Sequence, residues 1–463
     1  MKNSLTNYSY IEGIVYSKQF RNLQDKTQLF YSTPKRQVRT RLTHTIEVKI
    51  IAHDIGQQIN KKMGTELIDL NLLEAVALAH DIGHTPFGHV GERTINDIVS
   101  KKDNLGGLNN TNGNSQIRFK HNVNSMRILE ELNIQDWRII DGALCHTRIF
   151  YKNDKISFSR NPYNPFEGSP SKIAKFIYNE HSILFNNPTK GKVCSLTLEG
   201  QIVSIADEIA QRIADISDGL ESRYFEKIKS ILSTEKEIRT RTELEQFIRE
   251  MLIKDVVDNT TEKIKKLPQN FRSNSGISHA VYYQEVVGFS ESMKVKNDEL
   301  EEYIKIIMAQ SESVRESDSR SRYIIRQLYK AYLNDITLLP DDFIDDYFGK
   351  IINKHIFLNA INILRVASCK DKANQDLNKA LEVLDEIQKQ RWRIDKEDLP
   401  QKTVAIRIDL VKSYFEILIK NHRVNNTPCL NDLFDEYILK IGFYIAGLTN
   451  TEAFTTYNRI YGH

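Results

Sequence analysis

Apolar residues return at steps of three and four along most of this chain, the spacing that gathers them on one face of an α-helix. The pattern predicts helices over 44–60, 67–82, 121–132, 196–220, 240–266, 298–313, 321–334, 354–365, 374–391, 403–421 and 431–447. Strand-like alternation is scarce, and at most a small β-hairpin is expected, near 148–160. The fold class that follows is mainly α. Residues 100–117 (SKKDNLGGLNNTNGNSQI) are polar and rich in Asn and Gly, which reads as a mobile insertion. Segment 159–170, with Pro162, Pro165 and Pro170, reads as an irregular loop.

A chain of 463 residues can bury one large or two ordinary cores. Eight of its 12 histidines (His44, His53, His80, His84, His89, His121, His146 and His181) precede residue 230. A boundary is therefore placed there, between a catalytic core over 1–230 and a helical region over 231–463. The formal charge of +3, from 64 basic and 61 acidic residues, argues neither for nor against nucleic acid. The basic run Lys263-Ile264-Lys265-Lys266 reads first as a solvated helix face. No apolar run reaches the roughly 18 residues of a membrane span. The start, MKNSLTNYSYIEG, lacks the apolar core of a secretory signal, and a cytoplasmic protein is expected. Cys145, Cys194, Cys369 and Cys429 are too scattered for a zinc-thiolate motif and read as free thiols.

The pentapeptide Ala-His-Asp-Ile-Gly occurs twice, at 52–56 and 79–83, and helical phase separates the copies. From His44 an apolar stripe runs through Val48, Ile51, Ile55 and Ile59, so His44 points inward. His53 lies about half a turn off that stripe and belongs to the polar face. His80 shares a face with Leu73, Val76 and Ala77, and Gly83, Pro86 and Gly88 end the helix just beyond it. A helix end lets His80 and Asp81 converge on one point. A third segment, LTLEGQIVSIADEIAQRIADISDGL, places Asp207 on the stripe of Leu196, Val203 and Ala214, where a carboxylate is either metal-bound or salt-bridged. The expected metal set is His44, His80, Asp81 and Asp207. Mixed nitrogen and oxygen ligation suits Mn, Mg or Fe, with Zn also compatible.

These residues spell a known pattern. H…HD…D resembles the metal signature of the HD-domain superfamily, and HDIGHTPFGHVGE (80–92) resembles its dGTP triphosphohydrolase branch. FRNLQDKTQLF (20–30), RTRLTH (39–44), FKHN (119–122), ADEIAQRIADISDG (206–219) and YIAGLT (444–449) are similar to further motifs of that branch. The resemblance implies an HD-type helical core with an additional C-terminal helical region that completes the site. It implies hydrolysis of a deoxynucleoside triphosphate, with dGTP preferred, to deoxynucleoside and inorganic triphosphate. It also implies a closed homo-oligomer, and regulation by a second nucleotide or single-stranded DNA is compatible with it.

Roles follow residue by residue from the same resemblance. His89 matches the catalytic histidine, and Glu92, one turn on, its orienting carboxylate. His84 falls beside the phosphates, and His121 matches another active-site histidine. Gln28 and Leu29 match positions that meet the deoxyribose. Arg41 matches a phosphate contact, for which a guanidinium fork is suited. Asp215, two turns after Asp207, is placed to meet substrate or a lysine, and Tyr283 matches a tyrosine that stacks on sugar or base. His146 and His181 carry no motif and read as structural. Asn22, Gln211, Phe443 and Asn450 depart from the family's usual arginine, tyrosine and acidic residues. Two alternatives keep the same ligands or fold: an HD hydrolase acting on a monophosphate or phosphodiester, and a nucleotide- or DNA-binding regulator with a degenerate site.

Overall fold

The computed structural model describes residues 2–27, 39–108, 118–147, 149–150, 172–173, 176–177, 180–181, 192–219, 224–234, 236–267, 281–282, 284–309, 312–335, 338–340, 342–343 and 428–462. Within them the chain is mainly α, as its periodicity requires. The helices in chain order are α1 (Lys2–Val15), α2 (Lys18–Asn22), α3 (Arg41–Met63), α4 (Leu70–Ala79), α5 (Gly88–Val99), α6 (His121–Glu131) and α7 (Trp137–Cys145). They continue as α8 (Leu198–Gly219), α9 (Phe225–Leu232), α10 (Arg241–Lys266), α11 (Glu291–Ala309), α12 (Glu312–Asn334), α13 (Pro428–Gly447) and α14 (Asn450–Tyr461).

Two expectations change. Ile149–Phe150 pairs antiparallel with Lys192–Val193, a partner far along the chain, while the rest of the hairpin expected near 148–160 lies outside the described residues. Residues 101–108 of the polar insertion are folded turns. Leu105 is buried there, and the Asp103 carboxylate accepts its backbone N–H at 2.9 Å while pairing with Arg326 at 2.8 Å. The helices expected at 354–365, 374–391 and 403–421, and the loop at 159–170, lie outside the described residues.

Two compact units form: Met1–Arg93 with Phe119–Tyr323 and Ala446–Ala453, and Thr94–Arg118 with Ile324–Ile445 and Phe454–His463. The division does not fall at residue 230, because α10 packs on α3 and α8 inside the first unit. There α8 lies against α3, α4 and α7, and α1 covers α4. Thr40 and Thr43 start α3 with reciprocal capping bonds, and Gly64, at φ 67°, ends it. Val48, Ile51, Ile55 and Ile59 on its inner stripe are all buried, each contributing about 1.5–3 kcal/mol. Asp69 caps α4, whose last five residues, Ala75 to Ala79, are all buried. Buried Asp141 pins α7 to the start of α8, accepting hydrogen bonds from Ser195 Oγ (2.6 Å), Leu196 N (2.8 Å) and His181 Nε2 (2.8 Å). In the second unit Tyr329, Tyr332 and Tyr437 are fully buried, and Tyr437 donates to the Tyr332 carbonyl at 2.9 Å.

Candidate active site

Three helices of the first unit deliver the expected ligands to one place. His44 comes from the first turn of α3, Asp207 from the middle of α8, and His80 and Asp81 from the residues that close α4. Ligand atoms of His44, His80 and Asp207 all lie within 4.8 Å of one another. His44 Nε2 is 2.8 Å and His80 Nε2 3.8 Å from Asp207 Oδ1, and Asp81 Oδ2 is 3.8 Å from His80 Nε2. These are spacings that donors take around one divalent ion with bonds near 2.1 Å. The residues fit such an ion for a further reason. His80 Nδ1 donates to the Ala77 carbonyl at 2.6 Å, which fixes the tautomer and turns the lone pair of Nε2 into the cradle. That Nε2 is buried with no hydrogen-bond partner.

Asp81 joins this cradle to a second group of side chains. Its Oδ2 accepts from an Arg41 terminal nitrogen at 2.6 Å, and its Oδ1 faces His146 Nε2 at 3.9 Å and His84 Nε2 at 4.0 Å. His84 stacks on His121 with centroids 4.2 Å apart. Glu92 lies 3.6 Å from His89 Nδ1 but 2.8 Å from His121 Nδ1. The carboxylate expected to orient His89 is thus shared, and its tighter bond goes to His121 and not to His89. His121 Nε2 in turn meets His146 Nε2 at 3.1 Å. Because His146 Nδ1 donates to the Ala143 carbonyl at 2.7 Å, its Nε2 is an acceptor. Both ring nitrogens of His121 therefore face acceptors.

Burial and neighbouring charge set the protonation of the group. Burial alone would raise the Asp81 carboxyl, but Arg41, then His80, His84 and His44, hold it well below the usual carboxylate range. The same balance lowers Glu92, where His121 is the strongest opposing neighbour. His84 is pushed well down by burial and then by Arg41, and His146 is pushed down to about 3 by burial and then by His80. Both rings are neutral near pH 7, and neither nitrogen of His84 has a hydrogen-bond partner. Arg41 likewise keeps Nε and one terminal nitrogen buried without partners.

The sharp turn after α4 aims these groups. Gly83 sits so close to α6 that a Cβ would fall 2.2 Å from Ser125 N and 2.4 Å from His121 O. Phe87 and Gly88 take left-handed φ values of 61° and 57°, which turns the chain into α5 and brings His89 and Glu92 beside His84.

His53 of the first pentapeptide stands apart on α3, bonded to Glu74 at 3.0 Å. Asp215, expected to meet substrate or a lysine, lies 3.9 Å from Arg212 on its own helix. Gln28, Leu29 and Tyr283 lie outside the described residues. His146, expected to be structural, belongs to the cluster, and a signal for it exists. Ala143-Leu144-Cys145-His146 repeats the pattern of Ala77-Leu78-Ala79-His80, and in both a helix-ending histidine donates Nδ1–H to the carbonyl three residues back. His181, also read as structural, bonds Asp141 at 2.8 Å.

Comparison with known proteins agrees with this geometry. Residues 41–212 match the family model of the HD domain, a span that contains all four expected ligands. A deoxyguanosinetriphosphate triphosphohydrolase-like protein of Bartonella quintana is 28% identical over 354 residues, 71% of this chain and 78% of that one. Proteins of the same description from Geobacter metallireducens and Clostridium tetani are each 28% identical, over 71% of this chain and 77% and 74% of theirs. No helix among the described residues is long and apolar enough to cross a membrane. The chain thus matches the HD domain over residues 41–212 and is similar over most of its length to deoxyguanosinetriphosphate triphosphohydrolase-like proteins, which together support a metal-dependent phosphohydrolase.

Proposed function

We propose that the chain hydrolyses deoxynucleoside triphosphates, dGTP by preference, to deoxynucleoside and inorganic triphosphate. Water attacks the α-phosphorus, and the bond from that phosphorus to the 5′-oxygen breaks. The observation that supports this best is the adjacency of the His44–His80–Asp207 cradle to the His84–His89–His121–Glu92 group, with Asp81 between them. His44, His80, Asp81 and Asp207 would hold a divalent ion (Mn, Mg or Fe, with Zn compatible), which when bound would supply charge neutralisation at the phosphate and acidify water.

The chain's own groups do the rest. Arg41 has buried N–H donors to spare, which phosphate oxygens would satisfy. Neutral His84 adds a further N–H without competing for the metal's charge. His89, partly exposed at the mouth of the group and within reach of Glu92, passes a proton to the departing 5′-oxygen. The base preference, the closed homo-oligomer, the regulatory nucleotide or single-stranded DNA and the cytoplasmic setting belong to this reading through the family resemblance.

The test is to incubate purified protein with each dNTP and Mn²⁺ or Mg²⁺ and separate the products. Deoxynucleoside with tripolyphosphate supports the reading. Monophosphate with pyrophosphate refutes the bond assignment. Turnover of nucleoside monophosphates alone favours the other HD hydrolase, which would use the cradle but leave the Arg41 and His84 donors idle.

A further inference from the structure

The four-residue turn His84–Phe87 is held at both ends by side chains from distant parts of the first unit. At its start, the His84 carbonyl accepts from Lys26 Nζ, and the same ammonium donates to the Ala446 carbonyl at 2.8 Å. At its end, the Phe87 backbone N–H donates to Asn450 Oδ1 at 2.8 Å, while Asn450 Nδ2 donates to Thr27 Oγ1 at 2.9 Å. Lys26 is 2% exposed and Asn450 not at all. The Lys26 carbonyl also accepts the Arg41 backbone N–H at 2.7 Å, so one residue ties together the start of α3, the turn and the segment 446–451. Two further bonds fasten that segment: Asn22 to the Gly447 carbonyl (3.0 Å) and Thr451 N to Asp25 (3.1 Å).

A buried ammonium bonded to backbone carbonyls is costly, and burial with the nearby Arg41 charge already depresses the Lys26 pKa to about 7. Apolar packing would fill the same space at less cost. What the lysine adds is direction: it fixes the carbonyl of the residue whose ring faces Asp81. Asn450 does the same for the left-handed residue that launches α5 and His89.

We propose that Lys26 and Asn450 are positioning residues, and that segment 446–451 is a clamp setting the reach of His84 and His89 toward the phosphate site. The inference rests on the hydrolytic reading above. A displacement of 1 Å at such a site costs on the order of 100-fold in rate. Lys26→Met and Asn450→Leu should each lower kcat about 10- to 100-fold, with KM changed far less and metal content unaltered. Asn450→Asp should restore most of kcat, because a carboxylate still accepts from Phe87 and the Thr27 hydroxyl can turn to donate.

The experiment measures kcat, KM, bound metal and melting temperature of full-length variants, with backbone amide exchange over 84–90. The clamp predicts faster exchange there in Asn450→Leu and recovery in Asn450→Asp. Unchanged kcat, a loss that tracks metal or folded fraction, or failure of Asn450→Asp to recover would each overturn the proposal. Should Lys26→Met not fold, the Asn450 pair decides. Should the wild type hydrolyse no dNTP, the functional reading falls, and the exchange arm alone judges the clamp: unaltered exchange at 84–90 refutes it.

Discussion

Gly83→Ala adds one carbon at a place where chemistry has no use for a side chain, and it should cripple the protein. The new Cβ would meet three backbone atoms of α6: Ser125 N at 2.2 Å, His121 O at 2.4 Å and Asn124 C at 2.7 Å. None can rotate aside. Reaching an ordinary contact requires the turn and α6 to part by about 1 Å, and the seam between them carries three hydrogen bonds. These are Gly83 N to Ser125 Oγ (3.0 Å), Asn124 Nδ2 to Gly83 O (2.8 Å) and Ser125 Oγ to His80 O (2.9 Å). Each contributes about 1 kcal/mol net, so overpacking with their loss should destabilise by on the order of 4 kcal/mol. That is a large part of the 5–15 kcal/mol typical of a folded domain. Because His121 opens α6, turnover in the folded fraction should fall about 100-fold as well. Urea unfolding followed by circular dichroism, with dGTP hydrolysis on the same samples, measures both. Gly288→Ala, at a site with nothing within 4 Å, is the control and should be neutral. A Gly83→Ala protein within about 1 kcal/mol of wild type, with turnover intact, would refute the close approach and the placement of α6.

Other perturbations separate the roles of neighbouring histidines. His80→Ala should lose metal on dialysis, whereas His89→Ala should keep it and lose roughly 100- to 10,000-fold in kcat; elemental analysis beside kinetics distinguishes them, and metal loss from both would break the assignment. His146→Phe removes the acceptor facing His121 while filling the space, and should lower kcat about tenfold or more; wild-type kcat would show that the imidazole pair is idle. Lys26 gives a pH signature in stability. Its folded pKa, about 7, lies below the ordinary 10.5, so between those values the unfolded chain holds a proton that the folded one lacks. Folded stability from this group therefore rises with pH through that window, by at most about 1.4 kcal/mol per unit. Lys26→Met should flatten the rise in urea midpoint between pH 7 and 9, and parallel profiles for variant and wild type would count against a depressed Lys26 pKa.

Much of this arrangement was legible in the sequence because helical phase is a local property. His44 and Asp207 each ride an apolar stripe, and the breaking residues after His80 mark a helix end, so three short windows suffice to bring the ligands inward. The two pentapeptides differ only in context, and context is what places His53 opposite Glu74, well away from the cradle. What escaped was decided by tertiary contact. Glu92 sits one turn from His89, yet its closer partner is His121, from a helix whose approach depends on the missing side chain of Gly83. His146 lacks a named motif, although its Ala-Leu-Cys-His ending echoes that of α4. Lys26 reads as one more polar residue in LQDKTQ, and nothing local announces that it is buried against residues 420 positions away. Asn22 and Asn450, which stand out from the family pattern, both tie the 446–451 segment to the rest of the first unit: Asn22 bonds the Gly447 carbonyl, and Asn450 bonds Thr27 and Phe87. The pairing of 149–150 with 192–193 was beyond reach for the same reason: the partner is remote.

The tie between the His84 turn and residues 446–451 bears on how the protein comes into being. A nascent chain can fold α3 to α8 while still on the ribosome, but the carbonyl of Ala446 and the side chain of Asn450 emerge only long after α8 has been made. Until then Lys26 and Phe87 lack those partners, and the catalytic turn has no fixed aim. On the hydrolytic reading, turnover would wait until residues 446–451 have been made and have closed on the turn.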